Sequence, residues 1–77
     1  MTSDKVIEMI FKELRRAEEK HPGWPSDIVH ASAILAEEVG EVVKDALDVH
    51  YQGISSDNLK IEVAQVGAMA IRMLMNL

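Results

Sequence analysis

Glu62-Val63-Ala64-Gln65-Val66-Gly67-Ala68-Met69-Ala70-Ile71-Arg72-Met73-Leu74-Met75-Asn76-Leu77 is the stretch whose reading decides the fold. Of its 16 residues 11 are apolar, and only Glu62 and Arg72 are charged. Wound into a helix, Val63, Ala64, Val66, Met69, Ala70, Ile71, Met73, Leu74, Met75 and Leu77 cover most directions. A helix with so little polar face must be buried on most sides. Three short helices from one chain cannot fully surround it. A second copy is the simplest source of the missing wall, so at least a homodimer is expected.

Two more helices precede it. Val6, Ile7, Ile10, Phe11, Leu14 and Ala17 keep a helical rhythm, with Glu8, Lys12, Arg15, Glu18 and Glu19 mostly on the other face. The spacing predicts a helix from Ser3 to Lys20. It must stop before His21-Pro22-Gly23-Trp24-Pro25, where two prolines and a glycine prevent continuation. Ser26 or Asp27 can cap a second helix, which is expected to end near His50 with Gly53 in the turn. Its apolar face holds Ile28, Ala31, Leu35, Val39, Val42, Val43, Ala46 and Val49, and His30, Glu38, Glu41, Asp45 and Asp48 line up beside it. Ser55-Ser56-Asp57-Asn58 offers caps for the last helix. The expected fold class is all-α: one domain over residues 1–77, a three-helix chain forming a bundle by homo-oligomerisation.

Composition narrows the functional classes. A chain of 77 residues buries only about 60–65% of the surface its unfolded form exposes, and is marginal alone. With no cysteine, disulfides cannot reinforce it, which leaves oligomerisation as the common remedy. The N-terminus does not read as a signal peptide, and Gln65 and Arg72 interrupt an apolar stretch too short to span a membrane. A soluble, cytoplasmic protein is expected, with no membrane partner. Thirteen acidic against 8 basic residues give a net charge of −5. That disfavours a nucleic-acid binder, which needs a basic face for phosphates. Metal ions bridging the acids to a small phosphorylated ligand fit the balance better.

The acids are placed for that role. Glu38 and Glu41 are three apart, as are Glu62 and Gln65, so each pair shares one helix face. An antiparallel hairpin would bring the pairs together and converge four oxygen donors, the ligands that Mg²⁺ prefers alongside substrate phosphates. Glu62 weighs most, because a carboxylate bordering so apolar a segment is costly to desolvate unless paired or metal-bound. The competing interpretation is a solvated Glu-rich face, with Lys44 and Asp45 beside Glu41 as on an ordinary surface helix. Di-iron chemistry is set aside, since neither Glu38 nor Glu62 has a histidine three residues on. No nucleophile constellation or Gly-rich phosphate loop is visible.

Glu37-Glu38-Val39-Gly40-Glu41, a gap of 20 residues, then Glu62-Val63-Ala64-Gln65 resembles the Glu-Glu-x-x-Glu … Glu-x-x-Asp signature of the all-α nucleoside triphosphate pyrophosphohydrolases. That superfamily includes the MazG proteins and the dimeric dUTP pyrophosphatases. His21-Pro22-Gly23-Trp24-Pro25 and residues 64–72 look like the short MazG-like proteins of phage and bacterial genomes. The resemblance runs over residues 21–74. It implies a helical domain that dimerises, often into tetramers, and cleaves a nucleoside triphosphate between the α and β phosphorus. It further implies Mg²⁺, with Mn²⁺ as a substitute, held by Glu38, Glu41, Glu62 and Gln65. Glu37 would hold the attacking water or an additional ion. Gln65 departs from the family, which has aspartate there; an amide oxygen still ligates a hard cation but brings no charge.

The expected function is thus Mg²⁺-dependent hydrolysis of an NTP or dNTP to the monophosphate and pyrophosphate. Trp24, after a rigid turn, is a candidate to stack on the base, with packing over a helix end as its structural alternative. Lys44 is a candidate phosphate contact, with Lys12, Arg15, Arg16 and Lys60 as others. Two rivals belong to other classes: a catalytically weak nucleotide- or metal-binding oligomerisation module, and a plain helical dimerisation domain.

Overall fold

The computed structural model describes all residues 1–77, which form three helices: α1 (Ser3–Lys20), α2 (Ile28–Gln52) and α3 (Asp57–Met75). Thr2 caps α1, its Oγ1 accepting from the Lys5 amide at 3.2 Å, and Pro22 follows the last turn. Between the two candidate caps for α2, the structure selects Asp27, whose Oδ1 accepts from the Val29 and His30 amides at 2.8 and 3.3 Å. This helix runs two residues past His50 before Gly53, at φ 66°, ends it in the left-handed conformation a glycine adopts without strain. At α3, Ser56 is the cap residue but its side chain makes no capping bond. Ser55 Oγ accepts from the Asp57 amide instead, at 3.2 Å.

The apolar last helix takes the centre. α3 packs against both α1 and α2, whereas no Cα of α1 comes within 8 Å of one in α2. Leu14, Ala68 and Met69 form the buried core, with Ala17, Trp24, Ile34, Leu35 and Ile71 packed around them. α2 runs antiparallel to α3, with Asp45 meeting Asn58 and Glu38 sharing a cleft with Gln65, while α1 runs parallel to α3, with Val6 near Leu59 and Leu14 near Ala68 and Met69. α1 and α3 approach closely at Gly67: a Cβ there would meet the Ile10 side chain at 3.1–3.3 Å.

Two flanking helices leave one side of α3 open. By helical spacing, Val63, Val66, Ala70 and Leu74 share the face turned away from Gln65 and Arg72. Val63 is 51% exposed and Leu74 73%. Ile7 and Phe11 on α1 and Val39, Val43 and Leu47 on α2 are exposed too. A compact monomer of 8.6 kDa should present about 4,700 Å² to solvent. This chain presents 5556 Å², more than a compact monomer, and many of its large apolar side chains are exposed. No helix is long and apolar enough to cross a membrane.

Two glycines test this packing. Gly67→Leu should cost about 1–3 kcal/mol by overfilling the α1–α3 contact. Gly40→Ala, where a Cβ meets nothing within 4 Å, should add about 0.5–1 kcal/mol of helix stability. Urea unfolding at one fixed protein concentration reads both; a Gly67→Leu variant as stable as its parent would refute the close approach.

Candidate active site

The α2–α3 hairpin sets the acids in a seam. Asn58 Nδ2 donates to Asp45 Oδ2 at 2.8 Å, which fixes the antiparallel register at the turn end. Continuing that register one turn at a time sets Glu41 level with Glu62 and Glu38 level with Gln65. Electrostatics agree with this placement. Glu62 titrates above the ordinary carboxylate range because of desolvation first, then the charges of Asp45, Glu38, Glu41 and Glu13. Glu38 is also pushed up, by desolvation first and then by Glu37 and Glu41.

The seam opens into a cleft of about 550 Å³ framed by α1, the 21–27 connector, α2 and α3. Such a volume lies within the range of small-molecule sites. Glu13, Glu38 and Gln65 line it, one from each helix, together with Trp24, His30, Arg16, Lys20 and Arg72. Arg72, only 6% exposed, is spoken for: Nη2 donates to the carbonyls of His21 at 2.6 Å and Gly23 at 3.1 Å. Its guanidinium also lies 5.0 Å over the Trp24 ring. The arginine therefore straps the connector to the end of α3 and builds the cleft wall.

The sequence-predicted residues divide as follows. Glu38, Gln65 and Trp24 line the cleft. Glu41 and Glu62 belong to the seam beside it. Four oxygen donors thus share one seam, but no three acidic or imidazole groups are drawn in closely enough to cage an ion. Glu37 is exposed on the flank of α2, near enough for Glu38 to feel its charge, and does not line the cleft. Trp24 serves the core as well as the cleft, packing on the Leu14–Met69 cluster while Arg72 occupies one ring face. Lys44 is exposed and, like Glu37, Glu41 and Glu62, lines no part of the cleft. Six residues past Glu38, it points about 240° round the helix from it. The cleft cations are Arg16, Lys20 and Arg72.

Of the cleft residues, Arg16 is among the candidate phosphate contacts of the sequence, whereas Glu13, Lys20 and Arg72 are not singled out by its motifs. One signal was available. Glu13 lies among Met9, Ile10 and Ala17 on the apolar side of α1, where a carboxylate is out of place. His30 was visible in the acidic strip but had no partner spacing to single it out. No family model, no curated protein and no solved structure matches the chain. Its likeness to the MazG group therefore rests on the motifs alone.

A pH dependence follows from the raised carboxylates. Folded Glu38 and Glu62 hold their protons to higher pH than the unfolded chain does. Between the unfolded and folded values the native state binds more protons, so stability rises as pH falls through that window. In metal-free buffer the melting temperature should be higher at mildly acidic than at neutral pH, and level off below the ordinary carboxylate range. The Glu38→Gln/Glu62→Gln double variant should show a flatter profile in thermal denaturation.

Proposed function

We propose that this chain is a Mg²⁺-dependent nucleoside triphosphate pyrophosphohydrolase, cleaving an NTP or dNTP to the monophosphate and pyrophosphate. The observation that carries this reading is an acid seam without counter-ions. Glu38, Glu41, Asp45 and Glu62 gather where α2 meets α3, yet the only ion pairs in the molecule are Lys5–Glu8 and Arg16–Glu13. The donor chemistry fits Mg²⁺, which takes oxygen ligands, keeps several waters and uses one or two carboxylates with substrate phosphates. An open seam suits such an ion better than a closed cage. Glu38, Glu41, Glu62 and Gln65 are the residues that would hold it. Bound there, the ion would neutralise phosphate oxygens and make water a better nucleophile at neutral pH.

The chain's own residues supply the rest. Arg16 and Lys20 border the cleft on the α1 side, where they can meet phosphate oxygens. Trp24 and His30 line the part nearer the connector and offer a wall for the base. A water oxygen bonds to the α-phosphorus as the bridging oxygen leaves with pyrophosphate. On this reading the water lies on the Glu41 side of the seam, where Glu37, one helical turn from Glu41, accepts the proton and passes it to solvent. Gln65 favours the second reading, a binding or assembly module with weak turnover, because its amide adds no charge to the cation site.

The purified protein should release pyrophosphate and monophosphate from at least one common NTP or dNTP, only with Mg²⁺. Glu38→Gln should lower turnover on the order of 100-fold. Nucleotide-dependent stabilisation without product would select the binding module; neither response would leave a plain helical oligomer.

A second copy is proposed to cover the open side of α3. A standard interface buries roughly 800 Å² per partner, close to the roughly 900 Å² by which this chain exceeds a compact monomer. At net charge −5 copies repel, and the uncharged back is where they can meet. The assembly is a homodimer, or a tetramer made of two. Val63→Glu/Leu74→Glu should lower the mass measured by light scattering to that of one chain; an unchanged mass would place the interface elsewhere.

A further inference from the structure

The segment between α1 and α2 is held to the rest of the molecule chiefly by one side chain. Residues 22–26 make no hydrogen bond except the one that the Gly23 carbonyl accepts from Arg72 Nη2, at 3.1 Å. The same nitrogen donates to the His21 carbonyl at 2.6 Å, and the guanidinium lies 5.0 Å from the centre of the Trp24 ring. Arg72 thus grips residues 21, 23 and 24 from a position two turns beyond Gln65 on α3. Trp24 adds the apolar part of the anchorage by packing on the Leu14–Met69 core.

This grip controls the width of the cleft. Arg16 and Lys20 on the α1 wall face His30 and Glu38 on the α2 wall, and no Cα of one helix comes within 8 Å of the other. Each wall rests on α3, and the connector joins them at one end. The connector therefore sets how far apart the walls stand there, and Arg72 sets the connector. Stability alone would not call for a charge at this place. Arg72 is only 6% exposed, and neither ion pair of the molecule includes it. Burying a guanidinium without an acid is costly, and an apolar side chain would close the core with less desolvation. A guanidinium gives what an apolar plug cannot, a rigid plane whose donors fix direction as well as distance.

We propose that Arg72 is a positioning residue of the cleft: by fixing the His21 and Gly23 carbonyls and one face of Trp24, it presets the wall against which a base lies. This inference rests on the nucleotide reading of the cleft. Arg72 acts through the connector, two turns away from the acid seam. A base that meets a preset Trp24 does not have to order the connector on arrival, so the same contacts give tighter binding. Loss of the strap therefore raises KM and leaves turnover at saturation nearly unchanged.

Trp24 is the only tryptophan, so quenching of its fluorescence by acrylamide follows the connector directly. Arg72→Lys keeps the charge but cannot bond both carbonyls and cover the ring together. It should make Trp24 more readily quenched and raise KM for the nucleotide on the order of 10-fold, with kcat within about 3-fold of the parent. A second variant, with one glycine inserted between Pro22 and Gly23 at the exposed turn, keeps Arg72 but moves one carbonyl out of its reach. It should show the same pair of changes, and it decides the matter if Arg72→Lys does not fold. Thr2→Ala is the stability control: it removes the α1 cap at the end far from the cleft, and should lower the melting temperature without raising KM. Unchanged Trp24 quenching in the folded strap variants overturns the proposal, as does a KM no higher than that of Thr2→Ala. A parent that turns over no nucleotide overturns the underlying reading and takes this role with it.

Discussion

The arrangement of the three helices depends on two polar side chains of the otherwise apolar α3, Asn58 and Arg72, that hold what packs beside it. Asn58, Glu62, Gln65 and Arg72 follow one another at helical spacing along α3. Asn58 donates to Asp45 of α2. Glu62 meets the acids of α2, and Gln65 lines the cleft with Glu38. Arg72 takes the carbonyls that end the connector. Polar groups set in so apolar a helix must find partners or lose stability. The line therefore fixes which edge of α2 lies against α3 and where the chain between α1 and α2 must pass.

The same line divides the molecule into unlike sides. Acids, arginines and the tryptophan collect around the cleft, while Val63, Val66, Ala70 and Leu74 occupy the far side of α3. Seven buried residues out of 77 are too few to sustain an independent core. Association through the apolar side would supply the missing burial and leave the cleft free. One helix would then meet two requirements, holding the proposed site on one side and the proposed assembly surface on the other.

How much of this was legible depended on the kind of signal. Helix spans were clear, because caps and breakers act locally: Pro22 and Pro25 bound the connector, Asp27 starts α2 and Gly53 ends it. The antiparallel seam was legible because four turn residues leave α3 nowhere else to go. The place of α1 was not. Periodicity says that Ile10 and Leu14 are buried, but not that they meet Gly67 and Ala68. Without that, Glu13 could not be put beside Glu38 and Gln65. Lys44 shares a helix face with Glu41, three residues before it, and like Glu41 it stays outside the cleft lining. Arg72 was read as an interruption of an apolar run, though its carbonyl partners lie about fifty residues away and no local pattern reveals them.

Folding brings Glu38, Glu41, Asp45 and Glu62 together, and nothing in the fold itself requires it. Asn58 already pins the register, and apolar or amide residues at Glu41 and Glu62 would close the seam with less repulsion. Desolvation raises both Glu38 and Glu62, so part of the cost is real burial rather than crowding at a solvated surface. Local rules of this kind are broken chiefly where function needs them broken. Both carboxylates stay partly exposed, so solvent screens that cost. A ligand that binds the folded state offsets it by mass action, and a hard divalent cation is the ligand whose charge and donor preference match the seam.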